Sequence, residues 1–87
     1  MTITDLIARL EKEKTSTRFS DLVNRCREHF GEPRSKGSHY IFKTPWPGDP
    51  RVNLQSDKGK AKPYQVEQDI HALRKLEGIR EAGDQVN

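Results

Sequence analysis

The chain has 87 residues, a net charge of +3 and only 31% apolar side chains, which leaves room for one small domain with a thin core. No apolar run approaches the ~18 residues needed to span a bilayer, and Met1-Thr2-Ile3-Thr4-Asp5 lacks the basic head and apolar stretch of a secretory signal, so a cytoplasmic chain is expected. A single cysteine, Cys26, excludes an internal disulfide framework and a multi-thiolate zinc site within one chain.

Ile3, Leu6, Ile7 and Leu10 fall at i, i+3, i+4 and i+7, one apolar stripe of a helix, with Thr2 and Asp5 placed to cap its start. This N-terminal stretch, residues 1–16, either caps the core or binds a partner. Lys14 to Thr17 is polar and poor in helix formers, and reads as a linker. A second stripe follows at Phe19, Leu22, Val23, Cys26 and Phe30. Ser20 is placed as its N-cap, Phe19 as a staple before the cap, and Gly31 as its stop. Cys26, on that stripe, reads as a small core residue.

A short strand is expected around Glu32–Arg34. Ser38–Lys43, with Tyr40, Ile41 and Phe42, is the densest β-forming run, and Arg51–Gln55 alternates with Val52 and Leu54 on one face. Around the Pro-rich loop 44–50 these two make an antiparallel hairpin. Ser56–Lys62 reads as a Lys-rich loop, and Pro63 suits the first position of a final helix through Val66, Ile70 and Leu73. Gly78 is expected to end it, leaving 79–87 as a flexible tail.

The expected class is α+β, with helices on one face of a small antiparallel sheet of about three strands and the other face open. Burying Tyr40 and Phe42 with Val52 and Leu54 covers the most apolar surface. That choice puts His39 on the wet face with Lys43, Arg51, Asn53 and Gln55, and leaves Ile41 partly exposed.

Charge is unevenly spread. Residues 34–62 carry seven basic and two acidic side chains, net +5, between a neutral N-terminal third and an acidic C-terminal one. Such a segment suits a polyanion. Lys58, Lys60 and Lys62 lead into a helix start, where free N–H groups and partial positive charge attract phosphate. Trp46, between two prolines, either stacks on a base, anchors a partner or packs over the hairpin end. Tyr64 is expected to pack, and His29 and His71 read as solvated.

Gly37-Ser38-His39 followed by Tyr40-Ile41-Phe42, behind an amphipathic helix and at a strand start, resembles the HicA family of bacterial toxins. The similarity covers residues 19–78, within an expected domain of residues 17–78, with the 44–50 loop and Lys58–Val66 resembling one branch of the family. The resemblance implies a fold like the double-stranded RNA-binding domain. It implies an mRNA-cleaving endoribonuclease, held inactive by a HicB-like antitoxin encoded beside it, in which His39 is the essential histidine. The N-terminal helix and the longer Pro-rich loop depart from the family's short members.

The chemistry is consistent with that expectation. RNA is cut when its 2′-hydroxyl attacks the neighbouring phosphorus, which calls for proton transfer, charge stabilisation and alignment. An imidazole titrates near pH 6.5 and suits the proton transfer. His39 is therefore the candidate general acid or base, with Lys36 and Lys43 as phosphate ligands and Lys58, Lys60 and Lys62 as the RNA grip. No Asp/Glu/His cluster has metal-ligand spacing, so neither metal nor cofactor is expected. The rival readings are a non-catalytic RNA-binding module and an interaction protein working through its N-terminal helix.

Overall fold

The computed structural model describes residues 1–86. Three helices and four strands follow in the order α1 (Ile3–Lys12), α2 (Phe19–Phe30), β1 (Arg34–Lys36), β2 (His39–Phe42), β3 (Val52–Asp57), β4 (Lys60–Ala61) and α3 (Pro63–Val86). The strands form one antiparallel meander, β1-β2-β3-β4. The α+β class is as expected, with one strand more than the sequence suggested.

In α1 the Thr2 hydroxyl accepts the Asp5 N–H at 3.1 Å, the cap anticipated from the sequence. Ile3, Leu6, Ile7 and Leu10 are all buried, and α1 lies against α3. Polar ties bind the same two helices: Lys14 Nζ to Glu67 at 2.8 Å, Arg74 to Glu11 at 2.9 Å, and the Thr4 hydroxyl to Glu77 at 2.6 Å. The stripe of α1 therefore packs into the core. Leu6→Ala should lower unfolding free energy by about 2–5 kcal/mol, the range for a buried leucine. Urea melts that change by under 1 kcal/mol would show instead that α1 is dispensable.

The start of α2 differs from the sequence expectation. The helix begins at Phe19, and its N-cap position is Arg18, which makes no side-chain cap. The backbone here has another partner. Phe19 N–H donates to Gly59 O and Ala61 N–H to Thr17 O, both at 3.0 Å, and Arg18 bridges Lys60. Residues 17–19 thus run beside β4 as a strand before turning into the helix, so Phe19 needs no serine cap. Its ring meets Tyr40 edge-on, 5.6 Å between centroids, and so packs on the sheet rather than as a staple. Gly31, at φ 85°, ends the helix as anticipated.

β1 lies two residues later than expected because the hairpin tip sets its register. Lys36 pairs with His39, so Gly37 and Ser38 form a two-residue turn, with Gly37 at φ 61°. Across β2 and β3, Tyr40 pairs with Leu54 and Phe42 with Val52. Phe42, Val52 and Leu54 are buried under the helices, and Tyr40 is half-buried.

Ser56–Lys62 is not a loop. β3 continues to Asp57, which pairs with Lys60 across a tight Lys58–Gly59 turn, and Ala61 is buried. Both turn residues have positive φ, 53° and 83°, and the Ser56 hydroxyl accepts the Gly59 N–H at 3.0 Å. Pro63 opens α3 as anticipated, with Lys62 O accepting the first amides. The helix passes through Gly78 and reaches Val86, so residues 79–86 are helical rather than a tail; Asn87 lies outside the described residues. An interior glycine costs only ~1 kcal/mol relative to alanine and does not by itself stop a helix.

Among the described residues, no helix is long and apolar enough to cross a membrane.

Candidate functional site on the open sheet face

Directly paired strand residues share a face, and alternate residues along a strand share it too. The register therefore lays out the side of the sheet away from the helices. One rung holds Lys36, His39 and Gln55; the next holds Arg34, Ile41 and Asn53. Asp57 and Lys60 continue the same face at the far strands. The wet-face assignment of His39 from alternation is correct, and Ile41 is partly exposed as it required.

His39 is held in place. Its Nδ1 lies 3.1 Å from Asn53 Oδ1. An amide oxygen only accepts, so Nδ1 is the donor in this contact, which in a neutral imidazole selects the tautomer with the lone pair on Nε2. Next to it, Gln55 Nε2 donates to the Ser38 hydroxyl at 3.1 Å, tying the Gly37–Ser38 tip to β3. The Gln55 amide N–H in turn donates to Oε1 of Gln65 at 3.2 Å, and the Gln65 side chain is buried. The imidazole thus sits on a strand pair fixed from behind by α3. The roles of Asn53 and Gln65 were missed; Asn53 was legible only as a wet-face neighbour.

The cations fall into two groups. Lys36 is the cross-strand partner of His39, and both the Lys58–Gly59 tip and Lys60 lie at the same end of the sheet. At the opposite end, Lys43 joins Arg34 and Arg51 around a cleft that Asn53 also lines. Arg34 and Arg51 were not singled out from the sequence, although both lie in its cationic segment. Lys62 stands apart from the others at the start of α3, with Nζ 6.0 Å from the centre of the Tyr64 ring. Among the described residues, none of Arg34, Lys36, Lys43, Arg51, Lys58, Lys60 and Lys62 forms an ion pair. The three lysines of 58–62 accordingly lie on a turn, a strand and a helix start, not on one helix terminus.

Other candidates resolve differently. Trp46 packs over the hairpin end: its indole N–H donates to Pro50 O at 3.0 Å, its ring meets Phe30 edge-on at 6.4 Å, and Lys75 Nζ lies 5.0 Å above it. Tyr64, expected to pack, is 62% exposed, on the outward side of a first turn whose Gln65 and Val66 are buried. His29 is half-buried rather than solvated. Its Nε2–H donates to Met1 O at 3.1 Å, and burial together with Arg80 holds its imidazole below the ordinary value. His71 is exposed as expected, 3.6 Å from Glu67.

One charged group lies behind the sheet. Asp69 on α3 is buried, and the Cys26 thiol on α2 donates to its Oδ2 at 2.9 Å, while Oδ1 has no partner. Burial pushes the carboxyl up to about 7, and burial together with Asp69 pushes the Cys26 thiol well up, so it stays protonated. Cys26 is the core residue expected; Asp69 was missed, although it falls i+3 from Val66 on the apolar stripe of α3.

Compared with family models, curated proteins and solved structures, the chain matches none.

Proposed function

We propose that this chain is a cytoplasmic endoribonuclease toxin of the HicA type, with a fold akin to the double-stranded RNA-binding domain, that cleaves mRNA through His39. The observation that carries this reading is an oriented imidazole with a free Nε2 on an open sheet face lined by unpaired cations. In the reaction, Nε2 takes the proton of a ribose 2′-hydroxyl. The O2′–P bond forms and the P–O5′ bond breaks; the leaving O5′ takes a proton from water and the imidazolium returns its proton to the hydroxide so formed, so that a 2′,3′-cyclic phosphate and a 5′-hydroxyl result. Lys36, across the ladder from His39, offsets charge on the phosphorane, worth most where donors are already in place. Lys58 and Lys60 hold the strand beyond the Gly37–Ser38 tip. These steps call on the chain's own side chains and no cofactor, so chelators should leave the rate unchanged. The inhibitor is a HicB-like antitoxin that covers the open face and with it His39.

Induced expression of wild-type and His39→Ala chains tests the reading, with growth and transcript integrity followed together. The wild type should arrest growth and fragment mRNA, and His39→Ala should do neither. Equal arrest and equal fragmentation by both would overturn it. RNA binding without cleavage by either chain would favour a non-catalytic RNA-binding module.

A further inference from the structure

The Pro-rich loop has no part in the proton transfer, yet it is tightly built. The Thr44 hydroxyl donates to Trp46 O at 3.1 Å, the Trp46 indole closes on Pro50 O, and the ring is wedged between Phe30 and Lys75. The result is a fixed hairpin end. Lys43 and Arg51 are the residues that follow the Phe42–Val52 pair on the two strands. They line a cleft of about 330 Å³ with Arg34 and Asn53, and no carboxylate lines it. Gathering three cations at one end of a hairpin is unfavourable by itself, since like charges in opposed positions repel. An anion between them removes that cost. Asn53 is the wall shared with the neighbouring site: it lines the cleft and holds the His39 imidazole. Arg34 and Asn53 lie one rung from His39, about 7 Å along a strand, and Lys43 and Arg51 lie two residues further on, their long side chains reaching back to the same cleft.

We infer that the Arg34–Lys43–Arg51 cleft binds a backbone phosphate of a single RNA strand, one nucleotide from the phosphate presented to His39. Arginine's planar fork suits a phosphodiester, and two arginines here provide it from adjacent strands. The loop's role is then to hold Lys43 and Arg51 in place before the RNA arrives. This inference rests on the nuclease reading for the second phosphate, but not for the first.

The test uses the purified full chain and a short fluorescent all-2′-O-methyl RNA, which lacks the attacking hydroxyl. Anisotropy is followed across a salt series for wild type, Arg34→Gln/Arg51→Gln and Lys12→Gln, and cleavage of unmodified RNA for wild type and His39→Ala. Both arginines are exposed, so the fold should survive, and a thermal melt checks this. The double variant should bind at least about tenfold more weakly, with the salt slope reduced by about 0.7 for the one phosphate no longer neutralised. Lys12→Gln, at an exposed lysine on α1 far from the sheet face in sequence and role, should change neither. An unchanged affinity and slope in the double variant would overturn the inference. So would a double variant that binds RNA normally but loses affinity for polyglutamate, which would assign the cleft to an acidic protein. If His39→Ala keeps wild-type cleavage of unmodified RNA, the nuclease role of His39 fails while the phosphate cleft stands.

Discussion

Purified His39→Ala protein should cleave RNA about 10²–10⁴-fold more slowly than wild type, the usual contribution of a positioned general base. The side chain is on the open face and supports no core contact, so the melt should be unchanged. Asn53 allows a finer test. It accepts the Nδ1 proton and thereby leaves Nε2 free, which makes it a positioning residue. Asn53→Asp keeps the acceptor but adds a charge that favours the imidazolium, so the acid limb of the pH–rate profile should move to higher pH. Asn53→Leu removes the acceptor and should lower the rate with no such displacement. A purely structural role for Asn53 predicts parallel profiles for both variants. Wild-type cleavage by His39→Ala would remove the catalytic assignment altogether.

How far the sequence carried depended on which signals are local. The stripes of α1 and α2, the Thr2 cap and the Gly31 stop are set within a few residues, and all appear as read. The face choice for His39 followed from alternation alone. Ser56–Lys62 failed as a loop because its paired strands run only two residues on either side of the Lys58–Gly59 turn and carry no apolar alternation, while the segment that flanks β4 on its other side, Thr17–Phe19, is about 40 residues away. The same distant contact moved the start of α2. At the site, His39 and Lys36 were legible from motif and charge. Asn53 and Arg51 were legible as wet-face neighbours of His39 and Lys43 but not in their contacts, since Asn53 acts by a cross-strand reach from β3 to β2. Arg34 was not, because it precedes the Gly37–Ser38 turn and only the meander brings it to one cleft with Lys43 and Arg51.

Asp69→Asn should make the protein more stable at pH 8 and no more stable at pH 4. The folded carboxyl titrates near 7, against 3.8 for its ordinary value, because it is buried. Between these pH values the native state binds a proton that the unfolded chain has lost. Stability is therefore highest below about pH 4 for this group and falls as pH rises through 7. The full cost above that window is about 4 kcal/mol, three units at 1.36 kcal/mol each. Asparagine removes the charge but brings an amide N–H₂ to the place where Oδ1 has no partner, which costs about 1–3 kcal/mol. The net expectation at pH 8 is a gain of roughly 1–3 kcal/mol, which turns into a loss toward pH 4, where the charge cost is gone and the amide cost remains. Urea melts of both proteins at intervals from pH 4 to 8 measure it. Cys26→Ala should act in the opposite sense at pH 8, since the thiol is the one donor the carboxylate has among the described residues. Parallel stability curves for wild type and Asp69→Asn across the series would mean that the carboxyl titrates as if it were in water. The buried pair between α2 and α3 would then exert no hold on the helices that back the His39 face.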